Sequence, residues 1–160
     1  MIIDLPCTIS FMPTLALNRK ARFDYECLEK IEAGLVLTGQ EVKSVREGGA
    51  KIDTGHIIAH QGNLFMIGAN IAPYKKASSH LEHDPARSRQ LLIHKKQLLY
   101  LLGKIGEKGL TLIPISLYTR GNRIKLEFWL ARGKKAHEKR QKIKDRDIQR
   151  ETDRYIRGQD

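Results

Sequence analysis

The pattern most suggestive of chemistry lies in residues 18–25, where three cations are interleaved with two aromatic side chains. Such cations neutralise phosphates, and aromatic rings stack on unpaired or flipped bases. The pattern is also typical of an ordinary basic strand edge, so the segment alone leaves both interpretations open. Further cations that could extend a basic surface are Lys75, Lys76, Arg87, Arg89, Lys125, Lys134 and Lys135. Together they favour binding of a polyanion.

The six histidines raise the question of a metal site. On an extended strand, His56 and His60 would lie roughly 13 Å apart at about 3.3 Å per residue, which is too far for one ion. His80 and His83 are closer in sequence, but no cysteine or carboxylate set completes a zinc pattern beside them. The remaining two are His94 and His137. We expect no metal ion and no cofactor.

Catalytic patterns are equally weak. The glycines between Gly103 and Gly109 resemble a phosphate loop, but they follow a predicted helix and lack the Gly-Lys-Ser/Thr ending. Residues 78–80, Ser-Ser-His, read as a polar loop, and no Gly-x-Ser-x-Gly elbow occurs in the sequence. Carboxylates are scattered singly. We therefore expect a binding protein with no catalytic residues, and not an enzyme.

Composition points the same way. The chain has 160 residues, a formal charge of +11 and a hydrophobic fraction of 41%, so it carries enough apolar residues for one core and needs an anionic partner. No apolar run approaches the roughly 20 residues of a membrane span. The first residues lack the basic start of a signal peptide. We expect a cytoplasmic protein in which Cys7 and Cys27 are free thiols.

The charge divides between two parts of the chain. Residues 133–160 hold ten basic and six acidic residues in 28, with too few apolar side chains for a core. Their pairs Glu138/Lys142 and Asp153/Arg157 are spaced for a helix. We predict a tail that is disordered when free and helical on a partner, and a solvated charged helix without a partner is the alternative.

The first half of the remaining chain predicts a long strand and a short helix. Residues 25–37 read as a long, bent strand. Thr38 and Glu41 have the spacing of a capping box, and Gly48 with Gly49 would end the helix.

Two hairpins and a second helix are predicted further on. The first hairpin joins 56–60 to 64–67, and the second joins 110–118 to 124–130. Apolar spacing predicts a helix over 93–105. Several short strands interrupted by a helix favour a mainly β fold, a small barrel of the OB type. We expect a flexible arm (1–15), an OB-like RNA-binding domain (16–132) and a basic tail (133–160).

The chain from about residue 16 onward resembles the SsrA-binding protein family, also called small protein B, of bacterial ribosome rescue. Six motifs carry the resemblance in order: NRKA at 18–21, EAGL at 32–35, TGQEVKS at 38–44, GANI at 68–71, the segment 80–89, and ARGKK at 131–135. The resemblance implies an OB-like barrel with a few flanking helices and a tail that is unstructured in solution.

The resemblance further implies an adaptor for trans-translation. Its barrel would bind the tRNA-like domain of transfer-messenger RNA (SsrA), and the complex would enter stalled ribosomes with elongation factor Tu and GTP, so that the nascent chain is tagged for degradation. The implied RNA-binding residues are Asn18, Glu32, Leu92 and Lys125, with Arg19, Lys20, Arg22 and Tyr25 in the same surface. Glu32 could accept from base amino groups or orient a cation, and it would penalise a misplaced phosphate.

The tail of such proteins lies, as a helix, in the vacant mRNA channel near the decoding centre. The implied ribosome-contacting residues are Lys134, Lys135, His137, Lys139 and Arg140, with Tyr155 and Ile156 as a distal apolar contact.

Three positions depart from the family pattern. Phe23 stands where His is frequent, Glu138 replaces an Asp, and Trp129 occupies a place commonly held by a small residue. Two other functions stay open: a ribosomal-type structural protein whose tail threads into rRNA, and an RNA-processing enzyme.

Overall fold

The computed structural model of the protein describes residues 13–75 and 84–135. The elements in chain order are β1 (Thr14–Leu17), α1 (Arg19–Asp24), β2 (Tyr25–Leu35), α2 (Gly39–Arg46), β3 (Ala50–Lys51), β4 (His56–His60), β5 (Asn63–Ile67), β6 (Asn70–Ile71), β7 (Arg89–Leu92), α3 (Lys95–Ile105), β8 (Leu110–Arg120) and β9 (Arg123–Gly133). Within the two described ranges, no helix is long and apolar enough to cross a bilayer.

Six antiparallel strands close into a small barrel. Around it the order is β8, β4, β5, β7, β2 and β9, and β9 pairs again with β8. The shortest pairing between neighbouring strands is that of β4 with β8, where Ile57 pairs with Leu112. β1 adds to β8 near Ser116, and β3 pairs separately with β6. The prediction of a mainly β, OB-like barrel with a few helices is confirmed.

The main core lies inside the barrel. Along β9 the inward positions Leu126, Phe128 and Leu130 are buried, as the period of two in a strand requires. Helix α3 adds Leu101, which is fully buried in the same core. The helix predicted over 93–105 is therefore confirmed, and its apolar stripe packs on the barrel.

The helix cap and the two hairpins that local sequence patterns predict are present in the structure. Thr38 and Glu41 form both hydrogen bonds of the capping box at the start of α2. The β4–β5 turn is Gln61-Gly62, and both residues have positive φ (48° and 73°), as a type I′ hairpin requires. The β8–β9 hairpin has a two-residue turn, because the strands extend to Arg120 and Arg123, beyond their predicted ends.

Two expectations near the N-terminus are settled by the structure. Residues 19–24 form helix α1, so the alternative that the cation-aromatic segment is a strand edge is excluded for these residues. Thr14 and Leu15, assigned to the flexible arm, lie in β1 and pair along β8. Cys27 is a free thiol. The predictions for Cys7 and residues 1–12 lie outside the described residues.

Candidate nucleic-acid interface

Asn18 places α1 on the barrel. Its Oδ1 accepts from the backbone N of Ala21 at 2.9 Å, which caps the helix. Its Nδ2 donates to the carbonyls of Ile52 (3.3 Å) and Pro114 (3.1 Å). The residue is 2% exposed. Asn18 thus positions α1 and uses its side-chain amide internally, while the RNA contact that the resemblance implies for it stays a prediction.

Trp129 forms the floor beneath α1. It faces outward from β9 and packs in a second apolar cluster with Ala21, Ile113, Ile115 and Ala131. Its Nε1 donates to Glu127 at 3.2 Å. Because the ring is buried under the helix, the unusual tryptophan at this position stabilises α1 and offers no stacking surface.

The predicted cations of α1 are exposed above that floor. Arg19, Lys20 and Arg22 are exposed, whereas Tyr25, at the start of β2, is half-buried against the second cluster. Lys20 and Tyr25 line a groove of about 540 Å³ that also contains Asp53. Three cations are therefore presented along one short helix.

Lys134 holds the other end of α1. Its Nζ donates to the carbonyls of Arg22 (3.0 Å) and Phe23 (3.1 Å), and its backbone N donates to Asp24. These contacts satisfy carbonyls at the helix end. Lys134, predicted as a ribosome-contacting residue of the tail, is thus bound to α1, whereas Lys135 is exposed.

Glu32 is the centre of a charged cluster on the outer face of β2, β8 and β9. Tyr118 donates its hydroxyl to Glu32 Oε2. Arg120 Nη1 lies 3.2 Å from the same oxygen, and Lys125 Nζ lies 3.4 Å from Oε1. We call Glu32, Tyr118, Arg120 and Lys125 the Glu32 cluster. Its two cations outnumber its one carboxylate, so the cluster is net positive.

The protonation of the Glu32 cluster is fixed at neutral pH. The hydrogen bond from Tyr118 lowers the pKa of Glu32; burial opposes this, and Lys125 and Arg120 add to the lowering. Burial, and then the hydrogen bond to Glu32, raise the pKa of Tyr118 well above its ordinary value. The carboxylate therefore stays charged while the phenol keeps its proton to donate.

Leu92 separates two grooves beside this cluster. One, of about 510 Å³, is lined by residues that include Glu32, His94 and Lys125. The other, of about 410 Å³, has apolar walls and also reaches Lys125. The Leu92 side chain between them is 55% exposed. An exposed apolar ridge next to cations suits a base with its phosphate.

Seven of the eight predicted RNA-binding residues form two patches, and the eighth, Asn18, is the buried cap of α1. Tyr25 and Glu32 are seven residues apart on β2, which corresponds to roughly 23 Å at 3.3 Å per residue. The α1 cations therefore lie at one end of β2, and Glu32, Leu92 and Lys125 lie at the other. The exposed members of the predicted RNA-binding set thus lie in two patches along one side of the barrel, and their shared contact with RNA stays a prediction.

Arg87 and Arg89 both form ion pairs with Glu41, and only Arg89 is fully buried. Arg89 is fully buried, and its Nε donates to Glu41 Oε1 at 2.9 Å. Arg87 also donates to Glu41. Burial tends to raise the pKa of Glu41, but hydrogen bonds from Arg87, Thr38 and Arg89 outweigh it and lower the pKa to about 2. The prediction that Arg89 extends the basic surface is wrong, whereas Arg87 has a side chain that is 32% exposed and its part in that surface stays a prediction.

The sequence missed Tyr118 and Arg120. The observed register of the β8–β9 hairpin places Tyr118 directly opposite Lys125. The predicted hairpin, with strands 110–118 and 124–130, would instead pair Tyr118 with Ile124 and leave Arg120 in the loop. Side chains opposite each other on antiparallel strands lie on the same face.

Several candidates cannot be placed. Within residues 13–75 and 84–135, no group of three or more His, Cys, Asp or Glu side chains could hold a metal ion. The predictions that lie outside the described residues concern Lys76, 78–80, His83, His137, Lys139, Arg140, Tyr155 and Ile156.

Comparisons with known proteins agree in pointing to one family. A protein-family model described as "SmpB protein" matches residues 15–158. The SsrA-binding proteins of Burkholderia vietnamiensis (strain G4 / LMG 22486) and Burkholderia mallei (strain SAVP1) are 44% and 45% identical over 141 residues, covering 88% of this chain and 95% of each relative. A chain of the solved structure "tmRNA-SmpB: a journey to the center of the bacterial ribosome" aligns with a TM-score of 0.61 and 44% identity, over 78% of this chain and 85% of that chain.

Proposed function

Because the chain belongs to the SmpB protein family, we propose that it is an RNA-binding adaptor that binds the tRNA-like domain of transfer-messenger RNA and delivers it to stalled ribosomes for trans-translation. Relatives described as SsrA-binding proteins support transfer-messenger RNA as the bound RNA. The solved structure whose description names the bacterial ribosome supports the ribosome as the place of action. They do not favour the alternative of a ribosomal-type structural protein.

The observation that carries the proposal is the Glu32 cluster beside Leu92. Its cations neutralise phosphates, and the exposed leucine supplies an apolar surface for a base. At the other end of β2, the exposed cations Arg19, Lys20 and Arg22 contact a second stretch of backbone. Cationic patches at the two ends of β2 suit an RNA long enough to contact both.

The adaptor acts without catalytic groups of its own, in keeping with a family of RNA-binding proteins. It works in the bacterial cytoplasm, in a delivery complex with elongation factor Tu and GTP. Residues 136–160 with Lys135 contact small-subunit rRNA in the vacant mRNA channel, through the cations of the tail, His137 and the apolar pair Tyr155 and Ile156. Net charge and apolar content of that segment support this assignment.

A filter-binding comparison tests the proposal. The full chain should bind the tRNA-like domain at least about tenfold more tightly than a random duplex of equal length at the same salt. Equal affinity for the two RNAs would contradict it.

A variant pair tests the role of Glu32 in the same assay. Glu32→Ala should weaken binding, although it makes the surface more positive, because Arg120 and Lys125 lose their common partner. The matched control is Glu29→Ala, which removes an exposed carboxylate of the same strand that bonds to Tyr100. Tighter binding by Glu32→Ala would overturn the assigned role.

A further inference from the structure

Three donors from two strands converge on the Glu32 carboxylate of a third strand. Tyr118 and Arg120 come from β8, and Lys125 comes from β9. Both carboxylate oxygens are used: Oε2 by Tyr118 and Arg120, and Oε1 by Lys125 at 3.4 Å and by Arg120 at 3.3 Å. Glu32 is thus built into the face of the barrel as a partner of neighbouring side chains.

Arg120 is the most accessible member of the cluster. Its side chain is 61% exposed, compared with 35% for Glu32 and 28% for Lys125. A guanidinium carries five N–H donors, and Glu32 engages Nη1. The remaining donors suit the bidentate recognition of a phosphate.

Tyr118 is the uncharged hydrogen-bond donor of the Glu32 cluster, so it cannot itself neutralise a phosphate. Its hydroxyl is a neutral donor, and its raised pKa keeps the proton in place. Tyr118 lies opposite Lys125 in the β8–β9 hairpin, so its hydrogen bond holds the Glu32 carboxylate near that lysine. Removing the hydroxyl would leave Glu32 Oε2 with Arg120 as its remaining partner, so that only the two mobile cations would hold the carboxylate.

We infer that Arg120 is a further RNA contact and that Tyr118 is a positioning residue: Tyr118 fixes Glu32, and Glu32 directs Arg120 and Lys125 to a common backbone phosphate. The inference rests on the proposed binding of the tRNA-like domain. It also gives Glu32 a physical role, because a carboxylate held between two cations sets their direction and repels a phosphate that is out of register.

The test compares two Tyr→Phe variants of the full chain. Tyr118→Phe removes the hydroxyl on Glu32, and the matched control Tyr100→Phe removes a hydroxyl on Glu29. Tyr118→Phe should bind the tRNA-like domain about 5- to 10-fold more weakly, as expected for the loss of one ordinary hydrogen bond, whereas Tyr100→Phe should bind like the wild type. Equal affinity of Tyr118→Phe and wild type would overturn the inference.

A double-mutant cycle separates positioning from general stability. If Tyr118 acts through Glu32, then Tyr118→Phe should have no further effect on affinity in a Glu32→Gln background. Full additivity of the two losses would contradict the positioning role. Thermal unfolding of each variant ensures that folded proteins are compared.

The salt dependence identifies the direct contact. Arg120→Gln should make the plot of log affinity against log salt concentration less steep by about 0.7–0.9, which corresponds to one phosphate. Tyr118→Phe should make it less steep by no more than half of that amount. An unchanged slope for Arg120→Gln would refute the contact. If the wild type itself does not prefer the tRNA-like domain, it is the proposed function that fails.

Discussion

Replacing Glu41 should remove a large part of the stability of the fold in a pH-dependent way. The side chain is completely buried, forms ion pairs with Arg87 and with Arg89 at 2.8 Å, and accepts from the backbone N of Thr38 at 2.8 Å. Arg89 is completely buried as well. Glu41→Gln keeps the shape of the side chain and removes its charge, so the buried guanidinium loses its counter-ion.

The magnitude follows from the pKa of Glu41. A fall from the ordinary value of 4.5 to about 2 in the folded protein is equivalent to about 3 kcal/mol of stability. Breaking a buried ion pair typically costs about 3–5 kcal/mol, which is consistent. Because the folded pKa is the lower one, this stability is present above pH 4.5 and is lost as the pH falls toward 2.

Urea unfolding followed by the fluorescence of Trp129, the one tryptophan of the chain, measures this directly. At pH 7, Glu41→Gln should be less stable than the wild type by about 3–5 kcal/mol. That difference should shrink by about 2 kcal/mol between pH 5 and pH 3. Glu47→Gln, at the exposed C-cap of the same helix, is the matched control.

Two results would refute the reasoning. One is a difference between wild type and Glu41→Gln that stays constant from pH 7 to pH 3. The other is a loss no larger than that of Glu47→Gln. Either would mean that the buried pairs with Arg87 and Arg89 contribute little net stability.

Three further predictions concern the interface and the tail. Asn18→Ala should lower the free energy of unfolding by about 1–3 kcal/mol in urea titrations, because it loses a helix cap and two buried donors; stability within 0.5 kcal/mol of wild type would count against it. Gly34→Ala places a Cβ 3.3 Å from the Leu92 side chain. Because Leu92 must then shift, the affinity measured by filter binding should be a few-fold lower, and an unchanged affinity would argue against a contact between Leu92 and the RNA. Truncation after Lys135, which keeps the Lys134 contacts with α1, should preserve binding of the tRNA-like domain and abolish ribosome rescue in a reconstituted assay; full rescue activity would contradict the role of the tail.

Local signals in the sequence predicted most of the barrel. The capping box at Thr38, the turn at Gln61-Gly62 and the apolar stripe of α3 each depend on residues within a few positions of one another. Such patterns carry their own physical cause, whether a satisfied helix end, a positive φ or a buried face. They could be interpreted without knowing what lies across the molecule.

The errors arose where a distant partner decides the outcome. Helix α1 is held on the barrel because Asn18 Nδ2 donates to the carbonyls of Ile52 and Pro114, which lie 34 and 96 positions away. Arg89 is buried because Glu41, 48 positions away, accepts from it. A basic residue at a surface and one in a buried ion pair look alike in sequence, so the basic surface was overestimated there.

The candidate site was predictable in some of its members and not in its geometry. Glu32, Leu92 and Lys125 came from the family resemblance, and the structure brings them together around shared grooves. Tyr118 and Arg120 were overlooked because the sequence argument concerned cations with aromatics in one segment, whereas the cluster is assembled across three strands.

Site-directed photo-crosslinking tests the central claim, that this side of the barrel binds the tRNA-like domain, most directly. The photoreactive amino acid benzoylphenylalanine would replace Leu92 (55% exposed) in one protein and Ile58 (37% exposed) in another. Ile58 is on β4, which lies three strands from β2 in either direction around the barrel and hence on the opposite side. With transfer-messenger RNA bound, position 92 should crosslink to the tRNA-like domain, and position 58 should not. Crosslinks to that domain from position 58, with none from position 92, would contradict the account.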